Sequence, residues 1–374
     1  MIDKDTMTKE FCELVRTASL SGQERQFARV LQQKLEALGL SVHYDDAGEA
    51  IDGDTGNLWC HIEGNSPHLP TLMLNAHMDT VKPGIGIEPV RDGDMITSAG
   101  DTILGADDKA GITIILAVIR ELLEDDAPHG DIQILFTIAE ETGLNGAKHL
   151  DYGVMDADCG LILDGGRMAG QVVTAAPSAM SMTYTVAGKA AHAGVCPEEG
   201  INAIQACAAG VAAMDIGRID DETTANIGLI EGGEATNIVA PRCIARGEAR
   251  SHDEDKLAAQ VEHMRQTMQE ACEEAGAAVE IEESRSYSAF SLADDHPLVQ
   301  AALKAAENLG IDGETLRGGG GSDANVFNAH GIASIILATG TRDPHTLEES
   351  LNVAVMENCA RWLRQTIDVL WENA

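Results

Sequence analysis

The sequence predicts an α/β protein with a mostly parallel sheet covered by helices and a smaller α+β domain inserted into it. Three observations support this prediction. Apolar β-like runs alternate with helical patterns up to residue 176, the texture changes over residues 177–290, and the alternation returns over residues 291–374. Apolar strands alternating with helices are typical of a parallel sheet buried on both faces. We therefore expect one domain from residues 1–176 and 291–374, and an inserted domain from residues 177–290.

The first domain begins with helices and continues with alternating elements. SGQE at Ser21–Glu24 has the form of a capping box, and the apolar residues after it recur at helical spacing as far as Gly39. The next β-like runs are SVHY, NLWCHI and TLMLNAHMD. A long apolar helix, DKAGITIILAVIRELLE, precedes the β-like runs DIQILFTIA and GLILD. This order predicts strands joined by helices.

The middle of the chain has a different pattern. Its β-like runs include MSMTYTVAG, TTANIGLIEGG and VEIEESRSYSAF, with helices near residues 202–214 and 253–274. SHDE at Ser251–Glu254 has the form of a second capping box. After this segment, HPLVQAALKAAENLG predicts a helix, ASIILAT a buried strand, and the last 25 or so residues an amphipathic helix.

The charge balance excludes some partners. The chain has 61 acidic and 25 basic residues, a formal net charge of −36. Such a charge repels phosphate backbones and anionic membranes at long range, so we expect neither a nucleic acid nor a membrane as partner. Most of the acid is explained by solubility, with adaptation to salt as a further possibility.

Cysteine usage and the absence of long apolar segments point to the cytoplasm. The eight cysteines form no CxxC pair and no closely spaced framework, a pattern typical of reduced thiols. The N-terminal stretch lacks a basic segment followed by an apolar one. The longest apolar run elsewhere, GITIILAVI, is too short to span a bilayer.

Acidic residues and histidines recur at the ends of β-like runs. His77 and Asp79 are two residues apart, which puts both side chains on one face so that the carboxylate can orient the imidazole. Taken alone, a histidine at a strand end is more often an ordinary polar residue. In GADDKAG, a helix cap explains one of the two aspartates, Asp107 and Asp108, but not the other.

Further strand ends carry Glu140 and Glu141 in AEETG, Asp164 in LILDGG, and His345 after ASIILAT. Ligands of open α/β sheets bind at the carboxyl ends of the strands, so these side chains are expected to converge. Two histidines with several carboxylates suit a pair of divalent cations, and the imidazoles favour Zn²⁺ over Mg²⁺ or Ca²⁺. Mn²⁺ or Co²⁺ could substitute.

Together these motifs resemble the dinuclear zinc peptidase and aminoacylase family that includes peptidase T, carboxypeptidase G and acetylornithine deacetylase. HMDTV, GADDKAG, AEETG, LDGG and a late PHT occur in the family's order over essentially the whole chain. Within this family, the chain is most similar to the peptidase T-like, or tripeptidase-like, members. The similarity is seen in GADDKAG, in the run that begins AEETG, and in TTANIGLIEGGEATNIV.

The resemblance implies roles for the site residues. His77 and Asp164 would bind one zinc ion, Glu141 and His345 the other, with Asp107 bridging the two. Asp79 would orient His77, and Glu140 would be the general base that takes a proton from a water molecule activated by the metal pair.

The resemblance also gives the inserted domain a role, as a lid that carries a homodimer interface. GKAAHAG is similar to the lid motif whose histidine reaches the partner's active site, which makes His192 the candidate oxyanion stabiliser in trans. Asn237 and Arg250 match lid positions that hold substrate, although a surface arginine is an almost equally good explanation of Arg250. Gly319 and Gly320, in GGGGSDANVF, match the family's glycine-rich substrate loop. A phosphate-binding loop is disfavoured because no GK[ST] follows.

The expected function is metal-dependent hydrolysis of short peptides, with release of the N-terminal residue from tripeptides as the preferred reaction. An N-acyl amino acid deacylase or a carboxypeptidase of the same family remains an alternative. A noncatalytic metal-binding or peptide-binding protein is a further alternative, which Glu140 argues against because neither metal needs it as a ligand.

Overall fold

The computed structural model describes residues 2–125, 127–166 and 168–372, which form two compact units. Unit 1 comprises Met1–Ala175, Phe290–Gly318 and Ser322–Ala374. Unit 2 comprises Ala176–Ala289 and Gly319–Gly321. Each unit has its own cluster of buried apolar side chains.

The helices of the described residues vary from one turn to about six turns. They are α1 (Lys4–Val15), α2 (Arg25–Ala37), α3 (Ala106–Glu124), α4 (Asn145–Lys148), α5 (Ala203–Ala213), α6 (Glu254–Ala275), α7 (Pro297–Asn308), α8 (Asp323–Ala329) and α9 (Val353–Glu372). Short 3-10 turns occur at Ala47–Ile51, Tyr152–Val154 and Pro197–Glu199. No helix in the described ranges combines the length and apolar character that crossing a lipid bilayer requires.

The strands belong to three sheets. They are β1 (Val42–Tyr44), β2 (Leu58–Ile62), β3 (Leu72–His77), β4 (Pro89–Asp92), β5 (Met95–Ser98), β6 (Ile132–Thr137), β7 (Cys159–Gly165), β8 (Gln171–Ala176), β9 (Ser178–Ala187), β10 (Gly217–Arg218), β11 (Thr223–Gly232), β12 (Arg242–Ser251), β13 (Ala278–Tyr287), β14 (Phe290–Ser291), β15 (Glu314–Arg317), β16 (Ala333–Ala338), β17 (Thr341–Arg342) and β18 (Ser350–Asn352).

The main sheet has a parallel centre, in the order β1-β2-β6-β3-β7-β16-β8-β14 with β15 beside β8. The pairs β6–β3, β3–β7 and β7–β16 are parallel, whereas β1–β2, β2–β6 and β16–β8 are antiparallel. Strands β3 and β6 are buried along their whole length, as a parallel sheet covered by helices requires. The predicted fold class is confirmed.

Helix α3 packs closely on the centre of this sheet, against β3 and β7. Most of its residues are buried, which is why its sequence is apolar on nearly every side. Gly111 permits the close approach, because a Cβ atom there would lie 2.2 Å from the carbonyl oxygen of Leu163 in β7. The start of α3 is thereby placed beside the carboxyl end of β7.

His345 lies in a loop between two strands of a small antiparallel sheet. Its strand order is β17-β18-β5-β4, and Arg342 pairs with Ser350, so that residues 343–349 form a hairpin loop. The sequence predicted His345 directly after the strand that is β16. That position is wrong because Gly340, with φ 92°, turns the chain and strand β17 intervenes.

Unit 2 is built on a five-stranded antiparallel sheet in the order β10-β11-β12-β9-β13. Helices α5 and α6 pack against it. The core between them is rich in methionine, cysteine and small aliphatic side chains. This architecture agrees with the α+β texture of the sequence.

Both predicted capping boxes are wrong. The Ser21 hydroxyl donates to Oδ2 of Asp79 at 2.6 Å, and α2 begins only after Glu24. Helix α6 is capped by Asp253, which accepts hydrogen bonds from the N–H groups of the second and third helical residues. In the first case a buried carboxylate distant in sequence competes for the serine, and in the second Asp253 takes the cap position that the sequence assigned to Ser251.

Candidate metal centre

Asp107 lies between the two histidines that the sequence singled out. Its Oδ1 is 3.2 Å from Nε2 of His77, and its Oδ2 is 3.2 Å from Nε2 of His345. One carboxylate therefore faces two imidazoles, one with each oxygen.

His77 ends the buried strand β3, and its side chain is 2% exposed. Its Nδ1 is 3.0 Å from the carbonyl oxygen of Asp79 and 3.4 Å from Oδ1 of the same residue. Asp164, in the neighbouring strand β7, has its Oδ1 3.9 Å from Nε2 of His77. The parallel pairing of β3 with β7 brings these side chains to one edge of the sheet.

The two adjacent aspartates at the start of α3 make different contacts. Both have non-helical backbone angles, so the regular part of the helix begins after them. Asp108 accepts a hydrogen bond from the N–H of Gly111 through Oδ1 and from the N–H of His77 through Oδ2. The helix-cap explanation therefore applies to Asp108, whereas Asp107 directs its carboxylate to the histidines.

Asp79 holds the backbone of both adjacent glutamates. Its Oδ1 accepts a hydrogen bond from the N–H of Glu140 at 2.9 Å, and its Oδ2 accepts one from the N–H of Glu141 at 3.2 Å. Ala139 precedes them with φ 47°, an uncommon conformation for a residue other than glycine. The N–H of Ala139 donates to Oε1 of Glu24 at 3.0 Å. These bonds fix the backbone that carries the two glutamates.

Glu141 points to His345. Its Oε1 is 2.7 Å from Nε2 of His345, the same nitrogen that faces Asp107. The His345 side chain is half exposed and has φ 63°, so its hairpin loop holds it in an unusual backbone conformation. Glu140, by contrast, is buried, with 9% of its surface exposed.

Two of the crowded carboxylates, Glu140 and Asp164, resist ionisation, whereas Asp107 does not. Burial raises the pKa of Glu140 well above its usual value, and the charge of Asp164 raises it further. Burial also raises the pKa of Asp164 to about 7, with the charge of Asp107 adding to the shift and His77 opposing it. For Asp107, burial acts in the same direction, but hydrogen bonds with His345 and His77 lower its pKa below the usual range.

The charge in this region suits a bound cation. Hydrogen bonds with Asp107 and Glu141 raise the pKa of His345 to about 10, so the carboxylates attract positive charge to this nitrogen. His77, Asp107 and Glu141 each offer a ligand atom, and these atoms lie within 4.8 Å of one another. Imidazole and carboxylate together are donors for Zn²⁺, Mn²⁺ or Co²⁺, so the residues present fit a metal centre.

The predicted lid residues lie in unit 2, where His192 and Asn237 are neighbours. His192 pairs with Ile238 in an antiparallel bridge, and the N–H of Ala193 donates to the carbonyl oxygen of Asn237 at 3.0 Å. The ring Nδ1 of His192 accepts a hydrogen bond from the N–H of Gly194 at 3.2 Å. In neutral His192 the donor is then Nε2–H.

Arg250 and the glycine loop also meet in unit 2. Arg250 donates through Nε and Nη2 to the two oxygens of Glu248, at 2.9 and 3.0 Å. A Cβ atom at Gly320 would lie 3.8 Å from Nη1 of Arg250, whereas one at Gly319 would meet nothing within 4 Å among the described residues. The guanidinium is thus already paired with a carboxylate.

Several polar residues around the centre, three of them buried, were not identified as part of the site from the sequence. They are Ser21, which contacts Asp79; Glu24, which contacts Ala139; Asp323, which accepts from the Thr137 hydroxyl; and Glu349, which accepts from the segment that carries Asp107. Asp323 and Glu349 lie within GGGGSDANVF and DPHTLEES, but no local spacing distinguishes them from surface acids.

Comparison with known families gives a match over most of the chain. The profile of Peptidase family M20/M25/M40 matches residues 73–369. The Bacillus subtilis (strain 168) protein YqjE is 39% identical over 368 residues, which cover 98% of this chain and 99% of that protein.

Two solved structures are similar over the full length. A tripeptidase from Staphylococcus aureus subsp. aureus Mu50 superimposes with a TM-score of 0.92 at 38% identity and covers 100% of both chains. The aminopeptidase PepT from Bacillus cereus ATCC 10987 superimposes with a TM-score of 0.87 at 39% identity, covering 98% of this chain and 99% of its own.

Proposed function

We propose, since the chain belongs to peptidase family M20/M25/M40, that the protein is a metallo-exopeptidase that hydrolyses short peptides. The preferred reaction is release of the N-terminal residue from a tripeptide. The observation that carries the proposal is Asp107, which faces His77 with one carboxylate oxygen and His345 with the other. A carboxylate that faces one imidazole with each oxygen could be shared by two divalent ions, as in a two-metal hydrolytic site.

The proposed ligand sets are those that the family resemblance implies, and the contacts of Asp107 support them. His77 and Asp164 would hold one ion, Glu141 and His345 would hold the second, and Asp107 would be shared. Zn²⁺ is the preferred metal because both sets contain an imidazole, with Mn²⁺ or Co²⁺ as substitutes. When bound, such ions lower the pKa of a water molecule and polarise a carbonyl group.

Glu140 is the proposed general base. It accepts a proton from the attacking water, whose oxygen bonds to the scissile carbonyl carbon, and it returns a proton to the leaving amine as the C–N bond breaks. A buried carboxylate with a raised pKa is suited to both transfers, since it holds a proton more readily than an exposed glutamate does. Asp79 supports Glu140 through the backbone N–H and faces the ring of His77.

The tripeptide preference rests on the similar proteins. A tripeptidase and an aminopeptidase are each nearly 40% identical to this chain over almost its whole length. In unit 2, we assign Asn237, Arg250, Gly319 and Gly320 to substrate binding, with Arg250 pairing with a peptide carboxylate through its planar fork. The Nε2–H of His192 is the proposed donor to the developing oxyanion.

We further propose a homodimer that forms through unit 2 and a cytoplasmic location. In the dimer, His192 acts in the active site of the partner subunit. The eight cysteines are free thiols in the described residues, which suits a reducing compartment.

A substrate panel tests the function. Metal-free protein is reloaded with Zn²⁺, Mn²⁺ or Co²⁺ and incubated with tripeptides that carry either a free or an acetylated N-terminus, and the products are identified by mass spectrometry. Release of the first residue from free tripeptides is expected. Turnover restricted to acetylated substrates, or release of the C-terminal residue, would instead indicate a deacylase or a carboxypeptidase.

A further inference from the structure

Glu349 is a buried carboxylate bound to three backbone N–H groups. Its Oε2 accepts from Leu104 and Gly105 at 2.8 Å each, and its Oε1 accepts from Asp107 at 3.0 Å. The residue is 1% exposed, so these bonds are shielded from water. Hydrogen bonds from three donors to one buried charge are stronger than bonds between neutral groups.

The bonds join two segments that each carry a proposed metal ligand. Glu349 closes the hairpin loop of residues 343–349, which holds His345. Its three partners belong to the turn into α3, which holds Asp107. In that turn Gly105 has φ 71°, and the backbone of Asp107 is non-helical, so the turn does not gain the stability of regular helical bonding.

A simpler role for Glu349 is that of a helix cap supplied from a distance. Gly105, at the N-cap position of α3, has no side chain to satisfy the first N–H groups, and a carboxylate there stabilises the helix. A cap alone would act only on folding. The distinguishing feature is that the donor from Asp107 belongs to the residue whose carboxylate faces both imidazoles.

We propose that Glu349 is a positioning residue of the metal centre, which fixes the backbone of Asp107 against the loop of His345. The inference rests on the proposed function, because it concerns the ions that Asp107 and His345 would share. Partner residues that orient metal ligands typically contribute a factor of roughly 10 to 100 in metal affinity.

Glu349→Gln is the informative substitution. The glutamine keeps the shape, but one carboxylate oxygen becomes an NH₂ group that cannot accept. If the side-chain oxygen of the glutamine accepts from the N–H groups of Leu104 and Gly105, its NH₂ group faces the N–H of Asp107. The N–H of Asp107 then loses its acceptor, and the two donors repel each other.

Asp45→Asn is the matched control. Asp45 also accepts three hydrogen bonds. Its Oδ1 accepts from the backbone N–H groups of Ala47 and Asn57, and its Oδ2 accepts from the side-chain amide of Asn57. None of these partners belongs to the turn before α3 or to the hairpin loop. The control therefore loses a comparable set of bonds in unit 1 without touching either segment.

The test measures Zn²⁺ binding to metal-free protein by calorimetry, together with the free energy of unfolding of the same metal-free samples. We expect Glu349→Gln to bind Zn²⁺ roughly 10- to 100-fold more weakly than wild type. We expect Asp45→Asn to lose stability but keep wild-type affinity. Wild-type affinity in Glu349→Gln would overturn the inference and leave Glu349 as a helix cap.

A second variant covers the case in which Glu349→Gln does not fold. Glu349→Asp keeps the charge and both acceptors on a side chain shorter by one methylene, and a smaller but measurable loss of affinity is expected. Unchanged affinity in this variant would also overturn the inference. Wild-type protein that takes up no Zn²⁺, Mn²⁺ or Co²⁺ would overturn the metal centre itself, so the two failures are distinguishable.

Discussion

At the level of single residues, the adjacent glutamates Glu140 and Glu141 have separate environments. Asp79 accepts a hydrogen bond from each backbone N–H. Glu141 meets His345 at 2.7 Å, whereas Glu140 is buried without that partner. Burial raises the pKa of Glu140, which reduces the repulsion between the two neighbouring carboxyl groups, while Glu141 pairs with a proposed ligand.

The first prediction separates their roles. Glu140→Gln should keep bound metal and lose a factor of about 10² to 10⁴ in kcat, because the general base is removed while every proposed ligand remains. Glu141→Ala should lose metal as well as rate. Bound metal is measured by elemental analysis and kcat on a tripeptide. A metal-loaded Glu140→Gln protein with full activity would disprove the assignment of the base.

Glu24 gives a prediction about pH. Burial raises its pKa to about 7, with the charge of Asp79 adding to the shift, while N–H groups of Gly22 and Ala139 that donate to Oε1 oppose it. Its Oε2 is buried without a hydrogen-bond partner among the described residues. The folded protein therefore favours the protonated carboxyl, whereas the unfolded chain ionises near pH 4.5.

The sign follows from these two values. Below pH 4.5 the group is protonated in both states, and between about pH 4.5 and 7 the folded state binds the extra proton, so stability falls as the pH rises. Glu24→Gln keeps an acceptor for both N–H groups and removes this loss. Denaturant unfolding of metal-free protein should show the variant gaining up to about 3 kcal/mol relative to wild type between pH 4.5 and 8. A difference that does not change with pH would contradict the raised pKa.

At the level of elements, the contact between α3 and β7 sets the position of the proposed bridging ligand. Gly111 lies one turn after Asp107, and Leu163 directly precedes Asp164, so the close approach of these two elements fixes Asp107 relative to Asp164. A glycine is required at this point because the space for a Cβ atom is filled by the carbonyl oxygen of Leu163.

Gly111→Ala should therefore weaken both folding and metal binding. The added methyl group would force α3 away from β7, at a cost of about 2 kcal/mol or more in the free energy of unfolding. Zn²⁺ affinity should fall in the same variant. Gly228→Ala in β11 is the control, since its Cβ atom would have its nearest contact at 3.5 Å. Wild-type metal affinity in a destabilised Gly111→Ala protein would show that α3 does not position Asp107.

At the level of the whole molecule, the proposed functions are divided between two compact units. Unit 1 carries the proposed metal ligands and Glu140, whereas unit 2 carries His192 and the proposed substrate-binding residues. Each unit has its own apolar core, so a substitution in one is expected to leave the folding of the other largely intact.

This division allows a complementation test of the proposed homodimer. His192→Ala and Glu140→Ala subunits should each be inactive, but a mixed dimer would contain one active site with both native residues if His192 acts in trans. Purification through two different tags, followed by a tripeptide assay, measures the recovery, which should approach half of the wild-type rate per dimer. An inactive mixed dimer of verified composition would contradict the trans assignment.

Much of the fold could be predicted because its signals are local. Predominantly apolar runs such as Leu72–His77 and Ile132–Thr137 predict buried strands wherever they occur, and their alternation with apolar helices predicts a parallel sheet. The end of each strand is equally local, so the sequence by itself put His77, Glu140, Glu141 and Asp164 at strand ends and identified the residue types that bind metal.

Only the tertiary structure decided how those strand ends are held. Glu349 binds residues more than 240 positions earlier in the chain, and Glu24 binds Ala139 across 115 positions. Ser21 failed as a helix cap for the same reason, since Asp79 lies 58 positions away. Propensity and periodicity describe neighbours along the chain, whereas a buried carboxylate takes whichever N–H or O–H groups the folded packing brings to it.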